Sequence, residues 1–124
     1  MSGDVQHQFA GDILRQRLLV EGYYRIEKID ETKIREFFKF ITGKLGLRAY
    51  GEPIIFSPGG EGKTENQGYD AFIPLIDSGI CLYVWTAKKF ISSIIYTCKR
   101  FDEREAVSVF RNFFEIGEMD AKGF

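Results

Sequence analysis

Apolar positions along this chain repeat with helical spacing in two segments, and each segment is flanked by residues that cap helices. The first follows Asp30, a favourable N-cap residue, and ends at Gly46, a residue type that commonly terminates helices. Its apolar residues are Ile34, Phe37, Phe38, Ile41 and Leu45. The second follows Asp102 and Glu105, which have the spacing of a capping box, and its apolar face comprises Val109, Phe110, Phe113 and Phe114. The pattern predicts two helices, each with one face packed on a sheet.

Five other segments have the composition of strands, at 17–26, 47–56, 72–76, 80–85 and 90–98. The last two are expected to form a hairpin around residues 86–89, and the short third segment can be continuous with its neighbour. Pro53 and Pro74 favour an edge or a bend in their strands. The order β-α-β-β-β-β-α predicts an α+β fold, a two-layer sandwich with a mainly antiparallel sheet and both helices on one face. Residues 1–12 are predicted to be a polar tail, and residues 13–124 a single domain.

Composition argues against several classes of function. The net charge is -1 and the basic residues are scattered, so no binding of nucleic acid is expected. No apolar run approaches the roughly 18 residues of a membrane helix, and the polar start of the chain is unlike a signal peptide. We therefore expect no membrane association. Two cysteines without an export signal indicate reduced thiols in a cytoplasmic protein. The only histidine, His7, lies in the predicted tail, so we expect neither a histidine base nor a metal site in the domain.

Residues 57–64 (SPGGEGKT) nearly match the phosphate-binding pattern G-x-x-x-x-G-K-[ST]. Ser57 replaces the first glycine of that pattern. The residues after Thr64 have no helical periodicity, although a phosphate loop must lead into the N-terminus of a helix. We therefore expect no nucleotide hydrolysis. Residues 57–68 contain four glycines and are predicted to be an irregular loop, either a mobile surface loop or a lid over a substrate.

The hairpin region carries the most specific pattern in the chain. Residues 77–85 read DSGICLYVW, and residues 96–98 read YTC. Together with residues 18–23 (LLVEGY) and 56–58 (FSP), they resemble the short prokaryotic type of pyruvoyl-dependent S-adenosylmethionine decarboxylase, in order and in register, over roughly residues 17–115. Asp77-Ser78 stands at the Glu-Ser of that family. Trp85 stands on the tryptophan of its His-Thr-Trp-Pro motif, and Cys98 on the cysteine of its Phe-Thr-Cys motif.

The resemblance implies self-cleavage between Asp77 and Ser78. The Ser78 hydroxyl would attack the preceding carbonyl, and β-elimination would leave a pyruvoyl group on the C-terminal fragment. In the family this cofactor forms a Schiff base with the amine of S-adenosylmethionine and withdraws electrons as CO₂ leaves, on the route to spermidine. Ser78 would be the pyruvoyl precursor and Cys98 the proton donor. Glu21 and Trp85 would lie near the substrate. Without the resemblance, Ser78 is a turn residue, Cys98 a small buried residue and Glu21 a solvated carboxylate.

Two residues depart from the family's pattern. Tyr83 stands where the family has its processing histidine, five residues after the cleaved serine. A phenol with an ordinary pKa of about 10 is a poor base at neutral pH. Asp70 stands at the position of a processing serine, eight residues before the cleaved one, and a carboxylate there could act as a base instead. Asp77 in place of glutamate is a milder change, because the backbone carbonyl is the group that reacts.

Three functions follow from these observations. The first is a pyruvoyl-dependent decarboxylase that acts on S-adenosylmethionine or on a related amine-bearing ligand. The second is an unprocessed, catalytically silent homologue that binds the ligand or regulates an active decarboxylase. The third is an α+β module unrelated to the family. A break between residues 77 and 78 distinguishes the first from the others. The resemblance also implies a homodimer whose sheets associate, and a mainly antiparallel sheet with short edges favours such a dimer.

Overall fold

In the computed structural model of the protein, residues 9–124 are described, and they form a six-stranded antiparallel sheet with two helices on one face. The strands lie in the order β2-β3-β4-β5-β1-β6. The elements are β1 (Gln16–Tyr24), α1 (Glu31–Leu45), β2 (Ile54–Phe56), β3 (Gly68–Leu75), β4 (Ser78–Trp85), β5 (Phe90–Thr97), α2 (Glu103–Phe114) and β6 (Ile116–Gly123). The predicted α+β fold is therefore confirmed. His7 lies outside the described residues, as does most of the predicted tail.

Both helices begin where their capping residues predict, and α1 also ends where its capping glycine predicts. The Asp30 side chain accepts a hydrogen bond from the backbone amide of Lys33, and Gly46 ends α1 with a φ of 67°. The Asp102 side chain accepts hydrogen bonds from two amides in the first turn of α2. Local capping therefore sets these helix ends. Neither helix in residues 9–124 is long and apolar enough to cross a membrane.

The core lies between the helices and one face of the sheet. The Phe37 ring of α1 is centred 4.9 Å from the ring of Phe110 and 4.6 Å from that of Phe114, both in α2. All three side chains are buried, and burying a phenylalanine contributes about 1.5–3 kcal/mol. Against them pack alternate residues of the central strands: Leu18, Val20, Ile80, Leu82, Ile91 and Ile95. The residues between these project from the other side of the sheet, here called the open face, which no helix of residues 9–124 covers.

The predicted element order lacks the last strand, and it is therefore wrong at the C-terminal end. β6 pairs antiparallel with β1, with Val20 opposite Ala121. Of the eight residues of β6, only Ile116 is buried. Its sequence, IGEMDAKG, therefore has no alternation of apolar and polar residues that could reveal a strand. Backbone pairing at the edge of the sheet defines this strand.

The predicted strand at 47–56 is wrong over most of its length, because only Ile54–Phe56 is a strand. Before it, Ala49 forms a single bridge to Leu75. The third strand, by contrast, is longer than predicted and begins at Gly68, inside the predicted loop. A Cβ atom at Gly68 would lie 1.7 Å from the carbonyl oxygen of Val84. This glycine therefore permits the close approach of two strands, although in the sequence it resembles a loop residue.

Residues 57–67 join β2 to β3 and contain two short 3₁₀ turns, Gly60–Gly62 and Thr64–Asn66, where no regular element was expected. β3 follows these turns directly. Lys63 and Thr64 therefore do not lead into the α-helix that a phosphate-binding loop requires. The near match to that pattern has no structural counterpart.

Candidate functional site

The peptide bond between Asp77 and Ser78 lies at the tip of the β3–β4 hairpin. Leu75 pairs with Ser78, so Ile76 and Asp77 form a two-residue turn. Neither turn residue has a positive φ, although two-residue hairpin turns usually require one. The reversal falls on Ser78, whose φ is 126°. Such a conformation raises the free energy of a non-glycine residue by about 1–3 kcal/mol. Backbone strain is thus located at the serine that the resemblance marks for cleavage.

The Asp77 side chain is buried and is hydrogen-bonded by Arg48. Nη2 of Arg48 donates to Oδ1 of Asp77 at 2.8 Å, while Nε and the backbone N of Arg48 donate to Oδ2 at 3.3 and 3.0 Å. The hydrogen bond from the guanidinium lowers the pKa of Asp77, against the opposing effect of burial. The same hydrogen bond raises the pKa of Arg48. Asp77 is therefore ionised and held in place at neutral pH.

Cys98 is hydrogen-bonded to this turn through its backbone. Its N–H donates a hydrogen bond of 2.9 Å to the carbonyl oxygen of Asp77, and the preceding residue, Thr97, pairs with Ser78. The Cys98 side chain is exposed at the end of β5, so it is not the buried residue that its apolar character alone would suggest. The structure therefore brings together three predicted site residues, Asp77, Ser78 and Cys98.

Gly79 and Phe72 complete the surroundings of Ser78 on the open face. A Cβ atom at Gly79 would lie 2.5 Å from Cζ of the Phe72 ring. The ring of Phe72 therefore covers the backbone of the residue after Ser78. A larger residue at position 79 would displace this ring, which explains why glycine follows the strained serine.

A row of polar side chains crosses the open face, one from each of four neighbouring strands. Glu21 lies opposite Ser92, Ser92 opposite Tyr83, and Tyr83 opposite Asp70. The Ser92 hydroxyl donates a hydrogen bond of 2.8 Å to the Glu21 carboxylate. Glu21 is half-buried and has a polar partner. Tyr83 and Asp70, the two departures from the family's pattern, are direct cross-strand neighbours.

Tyr83 does not reach Ser78 within one chain. Five residues of a strand span about 16 Å, at roughly 3.3 Å per residue. The Tyr83 hydroxyl interacts with Cys81, and Cys81 is itself three residues, or about 10 Å, from Ser78. Electrostatic interaction with the neighbouring Cys81, burial and the Asp70 carboxylate raise the pKa of Tyr83. The phenol therefore stays protonated at neutral pH, remote from the serine of its own chain.

Trp85 lies at the far end of β4, in an aromatic row on the open face. Its ring is centred 5.6 Å from that of Phe90, and the Phe90 ring is 5.2 Å from that of Tyr23. Trp85 is seven residues from Ser78, a distance of about 23 Å along a strand. The structure therefore places Trp85 apart from the Asp77–Ser78 bond of the same chain.

Sequence reasoning did not identify Arg48 or Ser92, although each contacts a predicted site residue. Arg48 lies 29 residues before Asp77 in a segment predicted to be a strand. Ser92 lies in the middle of β5, within a pair of serines that belongs to no recognised motif. Their roles follow from strand register and loop path. No local signal in the sequence indicates either of them.

Comparison with known proteins supports this fold. No protein-family model matches the chain, and no curated protein sequence matches it. The structure is similar to the crystal structure of the adenosylmethionine decarboxylase from Aquifex aeolicus VF5, with a TM-score of 0.70 and 18% sequence identity. The match covers 90% of this chain and 89% of that chain. At this level of identity the similarity is one of fold, and the function has to be argued from the site. The chain therefore has the fold of an adenosylmethionine decarboxylase.

Proposed function

We propose that this protein is an S-adenosylmethionine decarboxylase-like protein of spermidine biosynthesis, which cleaves itself between Asp77 and Ser78. One observation carries the proposal. Ser78 is strained at a φ of 126°, and the carbonyl oxygen of the bond before it accepts the Cys98 N–H. Strain and a hydrogen-bond donor on the carbonyl are both features that favour an acyl shift. The fold similarity supports the same assignment.

The chain's own groups supply the first step of cleavage. The Ser78 hydroxyl oxygen attacks the Asp77 carbonyl carbon, and negative charge develops on the carbonyl oxygen that the Cys98 N–H already contacts. The C–N bond then breaks, its nitrogen takes up a proton, and an ester joins the two fragments. Relief of the positive φ at Ser78 favours this direction.

The second step needs a base. Removal of the Cα proton of Ser78 breaks its Cβ–O ester bond, releases the main-chain α-carboxylate of Asp77 as the new C-terminus of the first fragment, and leaves a dehydroalanine. Water then hydrolyses the dehydroalanine to a pyruvoyl group with loss of ammonia. The residues around Ser78 fit this product, because the half-buried serine lies at a chain reversal and the exposed Cys98 thiol lies at the end of the neighbouring strand. A pyruvoyl group supplies an electron-withdrawing ketone for the decarboxylation of an amino acid. Cys98 is the residue that we assign to donate a proton to the substrate carbon.

A homodimer associated through the open faces is part of this proposal. In one chain Tyr83 and Asp70 are too far from Ser78 to act as the base. In a dimer packed through the open faces, Tyr83 and Asp70 of the second copy can act on Ser78 of the first. The face is suited to association, because a row of apolar residues crosses it: Leu19, Ile94, Cys81, Phe72 and Ile54. Six large apolar or aromatic side chains there are each at least 40% exposed: Tyr23, Ile54, Phe56, Phe72, Tyr83 and Tyr96.

A second function is favoured by the state of Tyr83. Because its pKa is raised and it replaces a histidine, the β-elimination step lacks an efficient base at neutral pH. A chain that stops before this step is an unprocessed homologue. Such a protein retains the open face and binds S-adenosylmethionine or regulates an active decarboxylase without catalysis.

Intact mass spectrometry of the purified chain after long incubation tests the proposal, with Ser78→Ala as the control. Self-cleavage predicts two fragments, residues 1–77 and a second fragment lighter than residues 78–124 by one ammonia. Treatment with borohydride and S-adenosylmethionine should then label only the second fragment. A single species of 14.3 kDa that borohydride does not label would reject the decarboxylase. Binding of S-adenosylmethionine by that intact species would favour the silent homologue.

A further inference from the structure

Arg48 is hydrogen-bonded to the Asp77–Ser78 turn, and no sequence pattern indicates this contact. Two donors of its guanidinium and its own backbone N–H all bind the Asp77 carboxylate. The two residues differ sharply in exposure, since the Arg48 side chain is 62% exposed and that of Asp77 only 4%. An exposed cation therefore reaches inward to a buried carboxylate, in the bidentate geometry that arginine forms best.

The backbone around Arg48 is itself fixed against the hairpin. The Arg48 carbonyl accepts a hydrogen bond of 2.8 Å from the N–H of Ile76, and the Tyr50 N–H donates to the carbonyl of Pro74 at 3.2 Å. Residues 48–50 thus run alongside the last residues of β3 and the turn. The guanidinium extends from a rigid base, so its contact with Asp77 restrains the turn.

Asp77 is held at two points at once. Arg48 holds its carboxylate, while the Cys98 N–H holds its carbonyl oxygen. With both groups restrained, the next residue has to reverse the chain, and Ser78 does so at a φ of 126°. The contact with Arg48 therefore acts on the serine through Asp77.

We infer that Arg48 is a positioning residue for self-cleavage, which holds Asp77 so that its carbonyl stays on the Cys98 amide and Ser78 stays strained. The inference rests on the proposed self-cleavage. Arg48 acts through Asp77, with which all three of its donors are engaged. It adds a residue to which the resemblance did not point.

The test follows self-cleavage of the full-length precursor, refolded from denaturant, by intact mass over time. Arg48→Ala should cleave at least tenfold more slowly than wild type, and Arg48→Lys should recover only part of the rate, because lysine cannot bind the carboxylate with two donors. Arg35→Ala is the matched control, since Arg35 is also an arginine with an exposed side chain paired with carboxylates, and its partners, Glu31 and Glu52, lie outside the turn. It should cleave at the wild-type rate.

A double variant separates positioning from a purely structural role. Arg48→Ala alone leaves a buried carboxylate without its cation, which lowers stability. Adding Asp77→Asn removes that charge and should restore the melting temperature. If Arg48 positions the turn, cleavage of this double variant stays slow at the restored melting temperature. An unchanged rate in Arg48→Ala, or a rate that recovers together with the melting temperature, would overturn the inference.

A wild-type chain that never cleaves would reject the proposed function, and the positioning role is then decided by hydrogen exchange at the Cys98 amide. Arg48→Ala should speed that exchange at least tenfold relative to Arg35→Ala, because the Asp77 carbonyl is released from the N–H. Equal exchange in the two variants would show that Arg48 does not position the carbonyl.

Discussion

The backbone N–H of Cys98 lies 2.9 Å from the carbonyl oxygen of Asp77. Cys98, the residue after β5, is thereby hydrogen-bonded to the Asp77–Ser78 peptide bond at the start of β4. This single contact joins the thiol-bearing residue to the bond that the resemblance marks for cleavage. Because a carbonyl oxygen becomes an oxyanion when a hydroxyl attacks it, the contact has a chemical consequence beyond its contribution to the fold.

Removal of this N–H should slow self-cleavage more than removal of the thiol. Cys98→Pro lacks the N–H as well as the thiol, whereas Cys98→Ala lacks only the thiol. The extended conformation of Thr97 is compatible with a following proline. One oxyanion donor is worth about 10²–10³ in rate, so we expect Cys98→Pro to cleave about a hundredfold more slowly than Cys98→Ala in an intact-mass time course. Equal rates would show that the N–H is only structural.

Relief of the strain at residue 78 should be measurable as stability. Ser78→Gly and Ser78→Ala both remove the hydroxyl, so neither variant can cleave, but only glycine adopts a φ of 126° without strain. We expect Ser78→Gly to be more stable than Ser78→Ala by about 1 kcal/mol. Urea denaturation followed by circular dichroism measures this difference. A more stable alanine variant would contradict the strained conformation.

A histidine at position 83 should accelerate the step that needs a base. We expect Tyr83→His to increase the cleavage rate at pH 7 at least tenfold, because an imidazole accepts a proton near neutral pH and a phenol with a raised pKa does not. Tyr83→Phe controls for loss of the hydroxyl and should not accelerate cleavage. Intact mass gives both rates. If the histidine has no effect, Asp70 or the geometry of the turn limits the reaction instead.

The open face should mediate dimerisation. Ile54 and Phe40 are exposed to similar extents, 50% and 43%, but Ile54 lies on the open face and Phe40 on α1. We expect a dimer at micromolar concentration by light scattering. Ile54→Glu should weaken that dimer at least tenfold by placing a charge among apolar side chains, while Phe40→Glu should leave it intact. A monomeric wild-type chain, or equal effects of the two substitutions, would argue against this interface.

The contact between Asp77 and Arg48 should make stability depend on acid pH. Since the pKa of Asp77 in the folded chain lies below its ordinary value of 3.8, its ionisation stabilises the fold fully above that value. The contribution is lost as the pH falls through the lower, folded-state pKa. We therefore expect wild type to be more stable than Asp77→Asn at pH 7, and the difference to shrink below about pH 4. Unfolding by urea between pH 7 and pH 2.5 measures it, and a difference that is constant with pH would contradict the ion pair.

The sequence by itself determined the elements whose signals are local. Asp30, Gly46 and Asp102 mark helix ends because a capping side chain or a left-handed glycine acts within one turn. The hairpin of β4 and β5 was predictable for the same reason, since its two strands are adjacent in the chain and alternate clearly. The α+β class followed from these elements, and the motif at residues 77–98 marked the three residues that meet at the turn.

Only the tertiary structure decided how distant segments meet. The apolar and polar residues of β6 do not alternate, and this segment is a strand solely because its backbone pairs with the edge of β1. Arg48 binds Asp77 across 29 residues, and strand register alone brings Asp70 beside Tyr83 while holding Tyr83 far from Ser78. The physical reason is that side-chain periodicity is a property of neighbouring residues, whereas sheet pairing and the paths of loops depend on contacts that close only when the whole chain is folded.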